Sequence, residues 1–124
     1  MYEVSVDENF AAAHNLRDYK GKCENLHGHN YKVRVTLTGA ELDSTGLLYD
    51  FVNLKRAIQG VLRSLDHIYI NEFPPFDVLN PSAENIARYI YEETAKQLPK
   101  APNGAGIASV TVWESDLTAA TYRP

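Results

Sequence analysis

Only one cysteine, Cys23, occurs in the 124 residues, which excludes an internal disulfide. No run approaches the roughly 18 consecutive apolar residues that span a bilayer, so a soluble protein is expected. An excess of positive charge is also missing: 12 Lys and Arg stand against 16 Asp and Glu, for a formal charge of −4. No block of Lys or Arg gathers into a stripe that would track nucleic acid. The first residues, Met1-Tyr2-Glu3-Val4-Ser5, lack the basic region and apolar run of a secretory signal, which points to the cytoplasm. What is present is 44% hydrophobic content in a chain near the commonest domain size of roughly 100–150 residues. One globular domain over residues 1–124 is expected.

Residues 2–14 alternate, with Tyr2, Val4, Val6, Phe10, Ala12 and His14 on one face and Glu3, Ser5, Asp7 and Asn9 on the other. Residues 27–38 alternate in the same way, with His27, His29, Tyr31, Val33, Val35 and Leu37 opposite Lys32, Arg34, Thr36 and Thr38. Both segments read as strands. Asp50 can cap a helix whose stripe is Phe51, Leu54, Ile58, Val61, Leu62 and Leu65. Gly60 within that stripe costs about 1 kcal/mol relative to Ala. Residues 71–81 contain three prolines and read as an irregular connection. Ser82 begins a second helix, with Ile86, Ala87, Ile90, Tyr91, Thr94 and Leu98 as its buried side, and Pro99 ends it. Residues 107–114 are rich in β-branched side chains, and 117–122 return as a fourth strand.

The order strand, strand, helix, helix, strand, strand makes an α+β fold with two helices on the apolar face of a four-stranded antiparallel sheet. Its edges are long and bare. Closure of several subunits into a barrel with a polar lumen is the natural remedy, so an oligomer is expected.

If the first two strands pair antiparallel with their apolar faces together, His14 lands beside His27 and His29. Three imidazoles with no evident fourth ligand suggest zinc with an open coordination position, the catalytic arrangement. Cys23, four residues before His27, has two readings: a fourth ligand closing a structural site, or a base or nucleophile that stays off the metal. Asp66-His67, where the first helix runs out, reads either as a solvated carboxylate with a histidine at a helix C-terminus or as a proton-transfer pair. Glu114, at the end of an apolar strand, is either solvated or an acceptor of two parallel N–H bonds from an amidine-like ring edge, such as that of a guanine or pterin.

Taken together, these residues resemble the 6-pyruvoyltetrahydropterin synthase family over essentially the whole chain. Phe10-Ala11-Ala12-Ala13-His14 is similar to its first zinc motif and Cys23 through His29 to its second. Leu65-Asp66-His67 resembles its catalytic pair, Asn80-Pro81-Ser82-Ala83-Glu84-Asn85 its substrate loop, and Trp113-Glu114-Ser115 its pterin anchor. The resemblance implies the tunnelling fold, with trimeric β-barrels stacked in pairs into a hexamer and sites at subunit boundaries. It implies Zn2+ on His14, His27 and His29, Cys23 as catalytic base or nucleophile, and Asp66 and His67 completing a triad across an interface. Glu114, Ser82 and Ala83 would bind the pterin. Ser82 stands where the family commonly has threonine.

The three-residue gap between Cys23 and His27 favours the family's carboxy branch. That branch turns 7,8-dihydroneopterin triphosphate into 6-carboxy-5,6,7,8-tetrahydropterin, acetaldehyde and triphosphate, as a step toward queuosine. Arg17, Lys20, Lys22 and Arg123 are candidates to hold the triphosphate. Three alternatives stand beside it: the pyruvoyl synthase reaction on the same substrate, cleavage of dihydroneopterin itself through Glu24, and a non-catalytic pterin-binding module.

Overall fold

Tyr2–His14 and His27–Gly39 form strands β1 and β2, each of 13 residues, in a computed structural model that describes residues 1–124. They pair antiparallel without a slip from Tyr2↔Gly39 to His14↔His27. Because alternate side chains share a face, this register gathers Val4, Val6, Phe10 and Ala12 of β1 and Tyr31, Val33, Val35 and Leu37 of β2 on one side. Helix α1 spans Phe51–Leu62 and helix α2 spans Ala83–Gln97. Strand β3, Gly106–Ser115, pairs with β2, and β4, Thr118–Tyr122, pairs with β3. The sheet order is β1-β2-β3-β4, antiparallel throughout.

The helices start where their caps predict. Asp50 accepts the Val52 N–H at 2.8 Å and Ser82 Oγ accepts the Asn85 N–H at 3.2 Å, contacts that stabilise a helix start by about 1 kcal/mol each. Leu54, Ile58 and Val61 of α1 and Ile86, Ala87 and Ile90 of α2 are buried together with Phe10, Tyr31, Val33, Val35, Val110 and Val112 of the sheet. Burying each large apolar side chain contributes roughly 1.5–3 kcal/mol relative to leaving it exposed. Gly60 sits under α2: a Cβ there would come within 2.8 Å of Gln97 Oε1.

The other sheet face is polar. Arg34 donates two bonds to Asp7, at 2.7 and 2.9 Å, and Lys32 and Arg34 both lie over the Trp113 ring.

One boundary differs from the sequence pattern. The apolar stripe runs to Leu65, but α1 ends at Leu62, and the chain continues through turns that still bury Leu65 completely. His67 therefore does not stand at a helix C-terminus. No helix is long and apolar enough to cross a membrane.

Candidate metal centre

His14 and His27 face each other across the last pair of the β1–β2 register, and His29 lies two residues along on the face of His27. Their rings are turned by specific backbone partners. His14 Nδ1 lies 2.7 Å from the Pro81 carbonyl oxygen, and His27 Nδ1 lies 2.7 Å from that of Asn25. A carbonyl oxygen only accepts, so each Nδ1 carries the proton and each Nε2 presents a lone pair. Those two Nε2 atoms are 3.0 Å apart. Lone pairs at that distance repel unless a cation lies between them.

His29 Nε2 is buried and has no hydrogen-bond partner, a defect worth about 1–3 kcal/mol. The three ligating atoms all lie within 4.8 Å of one another. Tetrahedral zinc, with Zn–N near 2.0–2.1 Å, sets neighbouring nitrogens roughly 3.3 Å apart, so small ring movements seat a metal ion here. Burial holds His14 and His29 below the ordinary histidine range, against the opposing pull of the Glu114 carboxylate. Both are thereby kept neutral, as ligation requires. The donor set fits a metal, and its all-nitrogen character suits zinc.

Cys23 lies in a single 3-10 turn, Lys22–Glu24, as a free, half-buried thiol. The group of converging ligand atoms comprises the three imidazoles and not its sulfur. Its carbonyl accepts the Leu16 N–H at 2.7 Å, which ties the turn to the end of β1.

Glu114 Oε2 is 3.6 Å from His29 Nε2. Glu114 and Ala83 line one cavity of about 430 Å³, together with Glu84 and residues 118–121 of β4. Ser82 stands beside it, with its Oγ engaged in capping α2.

Asp66 and His67 form a pair with Oδ2 to Nδ1 at 2.9 Å, on the outer edge of β1. Asp66 Oδ1 accepts the Ala11 N–H at 2.9 Å, and that bond, followed by the His67 contact, holds its carboxyl below the usual range. His67 adopts φ 59° and leaves its side chain 80% exposed. The chain does not bring this pair into the imidazole cluster. Of the two, His67 lines, with His29, a shallow depression of about 470 Å³ floored by Ala11, Ala13 and Gly28.

Of the four cations suggested for triphosphate, Arg17 is already engaged: its Nη2 donates to the Phe76 and Leu79 carbonyls at 2.8 and 2.9 Å. Lys20, Lys22 and Arg123 are exposed. Sequence reasoning also missed the carbonyls of Asn25 and Pro81 that set the tautomers of His27 and His14. Backbone acceptors leave no trace in residue identity. The one local signal is Asn80-Pro81, a dipeptide that favours turns.

A family model described as 6-pyruvoyl tetrahydropterin synthase matches residues 3–124. The 6-carboxy-5,6,7,8-tetrahydropterin synthase of Bacillus subtilis is 32% identical over 128 residues, covering 99% of this chain and 86% of the relative. The 6-pyruvoyl tetrahydrobiopterin synthase of Poecilia reticulata is 33% identical over 132 residues, covering 94% and 86%. Among solved structures, the 6-pyruvoyl tetrahydropterin synthase of Caenorhabditis elegans superposes with a TM-score of 0.86 at 29% identity, covering 99% of this chain and 95% of that one.

Proposed function

The chain belongs to the 6-pyruvoyl tetrahydropterin synthase family, and on that footing we propose that it is a zinc-dependent carbon–carbon lyase. It converts 7,8-dihydroneopterin triphosphate into 6-carboxy-5,6,7,8-tetrahydropterin, acetaldehyde and triphosphate, in the queuosine pathway. The observation that carries this reading is the convergence of the His14, His27 and His29 Nε2 atoms next to Glu114, whose cavity is large enough for a pterin ring.

Zinc held by the three imidazoles supplies Lewis acidity to the hydroxyls of the substrate side chain and eases proton removal beside them. Glu114 accepts two parallel N–H bonds from the amidine-like edge of the pterin, with Ser82 and Ala83 at the start of α2 flanking the ring. Cys23 acts as the base. Asp66 orients His67 through its contact with Nδ1, so that His67 hands protons on. Their exposed position on the outer edge of β1 supports a role in the site of a neighbouring subunit. Loss of triphosphate requires no redox cofactor, and Lys20, Lys22 and Arg123 remain to hold the leaving anion.

In this reading the outer strands β1 and β4 of adjacent subunits join into trimeric barrels that stack as a hexamer, with Lys32 and Arg34 toward the lumen. The whole of residues 1–124 acts as one domain, in the cytoplasm. The pyruvoyl reaction is the rival, because a relative bearing that name is about as similar. Mass spectrometry of the products from dihydroneopterin triphosphate separates the two. Acetaldehyde with a carboxypterin is expected; a retained three-carbon side chain would sink the carboxy assignment, and unmodified substrate would sink the enzyme.

A further inference from the structure

From Ala11 onward, the outer edge of the first strand is closed by the later segment 66–80, and largely by side chains. The Ala11 N–H donates to Asp66 Oδ1 at 2.9 Å, and its carbonyl accepts the His67 N–H at 2.6 Å. The Ala13 N–H donates to the Ile68 carbonyl at 3.0 Å. Two residues on, the Asn15 N–H donates to Asn71 Oδ1 at 3.0 Å, and its carbonyl accepts from Asn71 Nδ2 at 2.9 Å. Two further on, the Arg17 N–H donates to Asn80 Oδ1 at 2.8 Å, and its carbonyl accepts from Asn80 Nδ2 at 2.9 Å. The one backbone bridge on this edge, Ala13↔Tyr69, is parallel, and beyond it each asparagine amide supplies the donor and the acceptor that a neighbouring strand would have supplied.

The opposite side of this stretch leads to the site. Leu16, between the two gripped residues, donates its N–H to the Cys23 carbonyl. Asn80 immediately precedes Pro81, whose carbonyl fixes the tautomer of His14. The Asn80 carbonyl is itself held by Asn85 Nδ2 at 2.9 Å, which anchors the segment to α2. Asn71 is buried. A carboxylate at 71 or 80 would keep the acceptor, lose the donor and set an oxygen against the carbonyl of Asn15 or Arg17.

We infer that Asn71 and Asn80 are positioning residues of the metal centre. Their amides hold residues 15–17 in register, so that the Pro81 carbonyl orients His14 and the Cys23 turn stays beside the metal. The inference rests on the metal-dependent reading above.

The test compares Asn71→Asp and Asn80→Asp with Asn103→Ala. Asn103 also bridges two backbone carbonyls, of Glu41 and Leu48 at 2.8 and 3.0 Å, but in connections outside the metal centre. Zinc affinity is read by chelator competition, kcat and KM by turnover, and stability by melting. The two aspartate variants should bind zinc about tenfold or more weakly, as for other residues that orient metal ligands. Their kcat should fall by about tenfold to a hundredfold with KM unchanged. Asn103→Ala should lower the melting temperature alone. Unchanged zinc affinity and kcat in the aspartate variants, or equal losses in Asn103→Ala, overturn the inference.

Hydrogen exchange on the wild-type protein needs no variant to fold. The Asn15, Leu16 and Arg17 amides should be protected, and further protected by zinc; exchange at the free-amide rate overturns the ladder. A wild-type protein that binds no zinc, with those amides still protected, would refute the functional reading and not the ladder.

Discussion

Metal removal, combined with truncation of His29, tests the centre through stability. In the metal-free chain His29 Nε2 is buried without a partner, at a cost of about 1–3 kcal/mol, and ligation turns that defect into a bond. An ion that binds only the folded state stabilises by about 2.7 kcal/mol at a hundredfold excess over its Kd. For a chain of this length each kcal/mol moves Tm by about 3–5 °C, so zinc should raise Tm by roughly 8–14 °C. His29→Ala removes ligand and defect together. It also loses packing against Tyr31, whose ring centre lies 5.3 Å from that of His29, and the two changes oppose each other. Metal-free His29→Ala should therefore melt within a few degrees of metal-free wild type, and zinc should barely move it. Calorimetry of chelator-stripped protein, with and without added zinc, reads all four states. Equal zinc shifts in wild type and variant would refute the reasoning. So would a metal-free loss as large as that of a core truncation such as Leu54→Ala, about 2–5 kcal/mol.

Three further outcomes follow from the same geometry. Cys23→Ala should keep zinc and pterin binding and lose turnover, because the converging ligand atoms do not include its sulfur; loss of metal on analysis would make Cys23 a ligand instead. Glu114→Gln should weaken pterin binding by about 1.5–3 kcal/mol through loss of a charge-assisted pair, read by fluorescence titration, and unchanged affinity would remove Glu114 from the site. Asp7 is held below the ordinary carboxylate range, first by its hydrogen bond to Arg34. Its stabilising contribution is thus complete above about pH 4 and is lost as pH falls through the lower folded value. Both partners are partly exposed, so it amounts to about 1 kcal/mol or less. Urea midpoints of wild type and Asp7→Asn should differ at neutral pH and converge in acid; a gap that persists in acid refutes the pairing.

The sheet and the imidazole cluster were legible because a strand repeats every two residues. That period ties Phe10, Ala12 and His14 to one side of β1, and His27, His29 and Tyr31 to one side of β2, before any contact is known, and pairing lays both sets on the same sheet face. The helix caps were legible too, since Asp50 and Ser82 act on neighbouring backbone. The end of α1 was not, because periodicity reports burial and not hydrogen bonding: Leu65 continues the stripe from a turn. Arg17 read as a free cation, although two carbonyls about 60 residues away in sequence occupy its guanidinium.

Residues 71–81 read as irregular from their prolines, and irregular they are, yet Asn71 and Asn80 reach back across 56 and 63 residues to complete a ladder. A strand announces itself through many residues in alternation. A side chain that stands in for a strand is one residue with no period, and nothing beside it in the sequence marks it. Such substitutes are needed wherever an edge must be closed but no strand fits, and here that place is the rim of the metal centre. The residues that pattern misses are therefore those that hold the ligands it finds.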